Sequence, residues 1–298
     1  MEITDLEPFG KSIKCDVSTL TYNDLSIIKQ QLHDNYVVVI DSVTKVNMGQ
    51  FHALCVHNGI SNQPKIWCSL DEYPDMMRIG NIPFNDKNDT GLFGTTDFSW
   101  HHDGQFSVDK EHFTGLYGNI IEKQSFTDTA NGKMVFDSLD PEFQEHLRDL
   151  EYELSHEIND TYLKTHATIN LTTGDRQIAV TSLDDIKLGR TRHGFTETPI
   201  RVTKLRRPLV VRHPITNEEG LNFPFLYISK IIGDSLSPDE AETLFYKLIK
   251  CHTDPRFILN FEWFENAILL MDQIHCIHKR DEYEGKRELI RIAFWDNK

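Results

Sequence analysis

Tyr36-Val-Val-Val-Ile40 is an unbroken apolar run with four consecutive β-branched residues. Branching at Cβ restricts χ1 and suits an extended backbone. A run without polar alternation reads as a buried strand. The segments on either side read as helices. Leu25, Ile28 and Leu32 recur at helical spacing over residues 21–33, with Thr21 or Asn23 available as cap. Residues 45–58 form a second helical stretch, stopped by Gly59.

Further along, strand patterns dominate. They are expected at 113–121, Leu209–His213, Leu226–Ser229, near Ile258–Trp263, Ala267–Met271 and Leu289–Trp295. Residues 73–99, rich in Gly, Pro, Asn and Asp, read as strand fragments joined by loops. A helix is expected over 130–150, with Pro141 opening its second half. The clearest helix start has Ser237 at the N-cap, Pro238 at the first helical position and Glu240 three residues after the cap, with Leu244, Leu248 and Ile249 forming a stripe to about Cys251. No internal repeat or low-complexity linker divides the chain. The expectation is a single domain over 1–298, α+β but mainly β. Residues 155–205 are polar and weakly patterned, punctuated by Gly174, Gly189 and Gly194. They read either as a lid or as a surface insertion.

Composition narrows the function. The chain has 298 residues, 39% hydrophobic and 26% charged, as expected of a globular protein with a proper core. Lys and Arg number 31 against 46 Asp and Glu, a formal charge of −15. An acidic surface repels phosphate backbones, which argues against a nucleic-acid partner, and Lys204-Leu-Arg206-Arg207 is too short a basic run to reverse this. Cys15, Cys55, Cys68, Cys251 and Cys276 are scattered and odd in number, without a C-x-x-C pair. That argues against a disulfide framework or thiolate zinc site and for a reducing, cytoplasmic compartment. Met1-Glu-Ile-Thr-Asp5 has no basic region followed by an apolar run, and no stretch approaches a membrane span. A small-molecule substrate is the expected partner; oligomeric state is not fixed by the sequence.

Trp100-His-His-Asp-Gly104 places imidazoles and a carboxylate within three residues. At strand period His101 and Asp103 share a side while His102 points away. One strand end thus offers a nitrogen and an oxygen to a metal. The best third ligand is in Asp272-Gln-Ile-His275-Cys-Ile-His278. Two histidines and one carboxylate on one face leave open positions on an octahedral ion, the pattern of Fe(II) oxygenases. Downstream, Arg287-Glu-Leu-Ile-Arg291 puts two guanidinium groups on one strand face, suited to clamping a carboxylate. The plainer reading pairs them with Asp281, Glu282 or Glu284 on the surface. His275 and Cys276 read as second-sphere or core residues.

Together these segments resemble the TauD/TfdA family of 2-oxoglutarate-dependent dioxygenases, over most of the chain. Trp100–Phe106 resembles its W-H-x-D segment, and Asp272–His278 the segment bearing the distal histidine. Arg207-Pro-Leu-Val-Val-Arg-His-Pro-Ile-Thr216 and the Arg287/Arg291 spacing also follow the family pattern. The resemblance implies a double-stranded β-helix (jelly roll) with flanking helices, and a cofactor set of Fe(II), 2-oxoglutarate and dioxygen. It implies His101, Asp103 and His278 as ligands, and Thr129 and Arg287 for the co-substrate's distal carboxylate, with Arg291 the alternative. It also implies Arg291 for a substrate anion. Asp97 falls where the family places a substrate-contacting side chain, and an acid there suits an amine; otherwise it is a turn residue. An amino-acid-like or anionic substrate follows as the expectation, with hydroxylation the expected outcome. The chain departs from the family at Gln273, at Glu265-Asn266, in the glycine-free Ser125-Phe-Thr-Asp-Thr129, and in a shorter interval between His278 and Arg287. The alternatives are a zinc hydrolase, a non-catalytic jelly roll, a desaturase, or a halogenase in which His102 is the ligand.

Overall fold

The computed structural model describes residues 1–61, 65–105, 111–154 and 205–296. The 155–205 segment therefore lies outside the described residues except for Leu205, and Arg190, Arg192 and His193 lie wholly outside.

In chain order the strands are β1 (Glu2–Asp5), β2 (Lys11–Cys15), β3 (Val37–Ser42), β4 (Met76–Gly80), β5 (Leu92–Phe93), β6 (Phe98–His101), β7 (Phe113–Ile121), β8 (Phe126–Asn131), β9 (Glu151–Leu154), β10 (Leu205–Pro208), β11 (Val210–Arg212), β12 (Glu219–Leu221), β13 (Ile228–Ile232), β14 (Ile258–Glu262), β15 (Ala267–Asp272), β16 (Cys276–Arg280) and β17 (Arg287–Phe294). The α-helices are α1 (Tyr22–Asn35), α2 (Met48–Asn58), α3 (Gly132–Asp137), α4 (Pro141–Arg148) and α5 (Pro238–His252).

An eight-stranded sheet runs β1-β2-β3-β15-β7-β17-β4-β5, and a four-stranded sheet runs β14-β8-β16-β6. The pleat sends alternate residues of β3 to opposite faces. Val38 and Ile40 pack outward with Ile28 and Leu32 of α1 and Phe51 and Leu54 of α2. Val37 and Val39 face inward with Leu259 and Phe261 of β14 and Cys276 of β16. Coverage on both faces is why this segment has no polar alternation. A third cluster packs the far side of the small sheet (Trp100, Ala130, Ile277) against α3, α5, β9 and β13. Two sheets facing across a shared core, with helices outside, form the jelly roll expected; the chain is mainly β. No helix among the described residues is long and apolar enough to cross a membrane.

Local signals held where capping and periodicity agreed. Thr21 and Asp24 form a capping box on α1, and Ser237 and Glu240 form one on α5. β7 matches its expected bounds. The 130–150 helix was an overextension. Strand β8 continues to Asn131, and the helical part breaks into α3 and α4 around Ser138–Asp140. Pro141 disfavours the helical conformation in the residue before it, and it starts α4 with Asp140 as N-cap instead. The expected strand at 226–229 is displaced to Ile228–Ile232, since Tyr227 adopts φ 71°.

Candidate metal and co-substrate site

The ligand candidates reach one another through a strand pairing. In the small sheet His278 of β16 lies opposite His101 of β6, and the ring centroids are 4.2 Å apart. The register then slips, so that Arg280 faces Phe98. That irregularity sets one residue of β16, Lys279, against two of β6, Ser99 and Trp100, a bulge of the kind that re-aims side chains. Phe98 and His101 thus meet edge to face, 4.0 Å apart.

Strand period is not what brings Asp103 to His101. β6 ends at His101, and Asp103 sits in the turn that follows, before Gly104 at φ 63°. Gln273 Oε1 accepts a hydrogen bond from the Asp103 amide, 2.9 Å away. One candidate ligand atom from each of His101, Asp103 and His278 lies within 4.8 Å of the others.

The surroundings leave specific atoms available. His101 Nδ1 is 2.7 Å from the Ser99 carbonyl oxygen, so Nδ1 carries the proton and Nε2 keeps a lone pair. Asp103 Oδ2 accepts from Thr114 Oγ1 and Arg291 Nε, both at 2.8 Å, which leaves Oδ1 toward His101, 3.8 Å from Nε2. His278 Nδ1 is buried without a hydrogen-bond partner among the described residues. Burial, then the neighbouring His278, push the His101 pKa well below its ordinary value; burial lowers that of His278. Burial would raise the Asp103 pKa, but Arg291 and the two histidines outweigh it and hold the group ionised. Neutral imidazoles beside a fixed carboxylate are the donor state that a divalent cation needs. The residues fit a facial-triad metal.

Arg287, Leu289 and Arg291 lie on one face of β17, with Leu289 in the inter-sheet core. The two arginines differ in surroundings. Arg287 is 2% exposed and lines a cavity with His101, Asp103 and His278; Tyr283 lies beside its guanidinium, while its Nε and Nη1 have no hydrogen-bond partner among the described residues. Burial, then the nearby Arg280, push its pKa down to about 9. Arg291 instead donates to Asp103 through Nε and to Glu111 through Nη2, so it is paired with neither Asp281, Glu282 nor Glu284 in the described residues. Strand spacing gave the shared face but not these partners. Among the residues of the predicted site, Arg291, Thr129 and Asp97 do not line the cavity.

Thr129 sits opposite His278 in the β8–β16 pairing, and its hydroxyl lies 3.4 Å from the Met271 sulfur. Thr127, two residues earlier on the same face, lines the cavity. Its Oγ1 accepts from Trp263 Nε1 at 2.8 Å, so its hydroxyl hydrogen remains to donate elsewhere. Asp97 lies on the loop entering β6, near enough to Arg280 to oppose the lowering of that arginine's pKa. Arg280 donates to the carbonyls of Phe93, Gly94 and Thr96, and Tyr283 Oη donates to Gly94 O at 2.7 Å. These bonds pin the loop whose Phe93 stacks on Phe98 at 4.4 Å.

The other histidines have structural partners. His102 Nδ1 is 3.2 Å from the Asp103 carbonyl oxygen, and His102 is outside the ligand cluster. His275 Nε2 is 3.2 Å from Val211 O, and Cys276 is packed between the sheets. His213 Nε2 bonds Asp272 Oδ2 at 2.8 Å, while Asp272 Oδ1 accepts from the amides of Ile274 and His275. The turn leading to His278 is thereby fixed. Gln273, Thr114, Glu111 and Thr127 carry no one-dimensional signal for these roles, because their partners are distant in sequence.

No curated protein matches the chain. Solved structures do. A taurine dioxygenase from Burkholderia xenovorans superposes with TM-score 0.70 at 16% identity, covering 99% of this chain and 89% of that one. AAD-2, solved in complex with Mn(II) and N-oxalylglycine, superposes with TM-score 0.67 at 17% identity, covering 100% and 98%. At such identities the likeness concerns the fold. The family described as taurine catabolism dioxygenase TauD, TfdA matches residues 2–293, nearly the whole chain. Sequence and architecture therefore agree, and the chain belongs to the taurine catabolism dioxygenase TauD, TfdA family.

Proposed function

We propose that His101, Asp103 and His278 hold a ferrous ion, that Arg287 and Thr127 hold the distal carboxylate of 2-oxoglutarate, and that the chain hydroxylates an unactivated C–H bond of a small molecule. Iron and 2-oxoglutarate, held by these residues, would supply the oxidising chemistry that protein side chains lack.

The observation that carries this reading is Arg287, a buried guanidinium that lines the same cavity as the triad and has no carboxylate partner among the described residues. A buried guanidinium without an anion is costly, so the site is built to receive a carboxylate. A zinc hydrolase has no use for it. Thr127 supports the same reading, because the Trp263 indole fills its acceptor role and leaves its proton to donate. His101, Asp103 and His278 would supply three protein ligands and leave a bound ion with positions free for the co-substrate. AAD-2 binds a metal with N-oxalylglycine, whose oxo-acid chelate and distal carboxylate have the same chemistry. Ile79, Phe93, Phe98, Leu116 and Leu289 supply the apolar wall that excludes water. Five cysteines without a disulfide fit a reducing, cytoplasmic compartment.

The test is spectroscopic. Adding 2-oxoglutarate to the anaerobic Fe(II) protein should produce a weak visible charge-transfer band. The band should be absent in Arg287→Met at the same co-substrate concentration. Iron binding without any band in the wild-type protein would overturn the reading.

A further inference from the structure

The cavity that holds the triad carries a second buried guanidinium. Arg280 lies on β16 two residues after His278, is 7% exposed and lines the same cavity as Arg287. Both side chains stand against Tyr283, with Cζ 5.2 Å from its ring centre for Arg280 and 4.9 Å for Arg287. Arg280 is also near enough for its charge to help lower the Arg287 pKa. We propose that Arg280 is a second co-substrate-binding residue, so that two guanidinium groups, and not Arg287 alone, hold the distal carboxylate of 2-oxoglutarate. This inference rests on the 2-oxoglutarate reading above.

The argument is one of charge left unmatched beside a cavity. Arg280 donates to the carbonyl oxygens of Phe93, Gly94 and Thr96, and its Nε has no hydrogen-bond partner among the described residues. Carbonyl dipoles satisfy N–H groups without cancelling a full charge. Asp97 opposes that charge, but from outside the cavity lining. Arg287 has no carboxylate partner among the described residues. Lys279 also lines the cavity and is already paired with Asp128 at 3.3 Å and Asp281 at 2.8 Å. Two neighbouring cations thus face Asp97 alone, and one negative charge is missing. A carboxylate entering beside both supplies it and offsets their mutual repulsion. Its two oxygens have lone pairs enough for two guanidinium groups and the Thr127 hydroxyl, which lines the same cavity. Anchoring the 93–96 loop would account for the bonds to its carbonyls, but a neutral amide could donate there without the cost of a buried charge.

The experiment titrates two oxo acids into the full chain loaded with Mn(II) under anaerobic conditions, read by calorimetry. One is 2-oxoglutarate. The other is 2-oxopentanoate, which has the same chelating end and chain length but a methyl group in place of the distal carboxylate. Arg280→Met should bind 2-oxoglutarate about tenfold more weakly than wild type, the effect of one lost charge-assisted hydrogen bond, and 2-oxopentanoate equally well. If Arg280 only anchors the loop, the variant loses affinity for both acids alike or for neither, and either result overturns the proposal. If Arg280→Met does not fold, Arg280→Lys decides by the same titrations. It keeps the charge and loses the fork, so 2-oxoglutarate binding should weaken severalfold with 2-oxopentanoate unchanged; parallel or absent losses overturn the proposal. Failure of 2-oxoglutarate to bind the wild-type protein would sink the functional reading, whereas binding there without a selective loss in the variants sinks only the role of Arg280.

Discussion

His278 and His101 face each other across an antiparallel strand pairing, although 177 positions separate them in the chain. The backbone ladder fixes their separation, and burial keeps both rings neutral. Removing either should abolish divalent metal binding while leaving the sheets intact. In wild-type protein, Mn(II) at roughly a hundred times its Kd should add about 2.7 kcal/mol of stability. Thermal unfolding of His278→Ala should show no such gain.

Thr114 and Arg291 hold Asp103 Oδ2 so that Oδ1 turns to the histidines. Thr114→Val keeps the shape and removes one hydrogen bond. Metal affinity should weaken roughly tenfold, the usual effect of losing an outer-sphere partner. Calorimetric Mn(II) titration checks this; an unchanged Kd would remove Thr114 from the account.

Arg287 should carry most of the co-substrate affinity. Arg287→Met should weaken 2-oxoglutarate binding by roughly a hundredfold, since a hydrogen-bonded charge pair contributes about 1.5–3 kcal/mol. Thr127→Val should cost about 1 kcal/mol, and Thr129→Val should leave 2-oxoglutarate affinity unchanged. A larger loss at Thr129 than at Thr127 would reverse this assignment. In the absence of ligand, Arg287→Met should unfold at higher denaturant than wild type, because a buried cation without a carboxylate partner among the described residues has been removed.

His252 sets a pH limit on stability. Its ring packs against Phe223 and Phe225, with Nδ1 3.0 Å from Leu248 O and Nε2 without a partner among the described residues. Burial pushes its pKa down to about 4. The unfolded chain takes up a proton near the ordinary value of 6.5, and the folded chain does not until about 4. Stability from this group is therefore complete above 6.5 and declines as pH falls toward 4. Between about pH 7.5 and about pH 5 the loss should be about 2 kcal/mol. Denaturant midpoints at those two values should show it, and His252→Leu should lack that part of the decline.

Much of this molecule is written locally. The Val37–Ile40 run is apolar because both faces of β3 are covered, and the caps of α1 and α5 satisfy orphan amides with residues three positions apart. Such signals depend on near neighbours, so the sequence alone determined a β-rich fold, the helix starts and the identity of the triad candidates. Residues whose roles depend on distant partners were not legible. Thr127 and Thr129 share a face and look equivalent in sequence; only the β14–β8 pairing puts Trp263 on the first, and only β15 puts Met271 beside the second. Arg287 and Arg291 likewise share a face, and Glu111, 180 residues away, makes Arg291 a paired counter-ion, while Arg287 has Tyr283 beside it and no carboxylate partner among the described residues. Side-chain periodicity specifies a direction, but what lies in that direction is decided by which strands pack together.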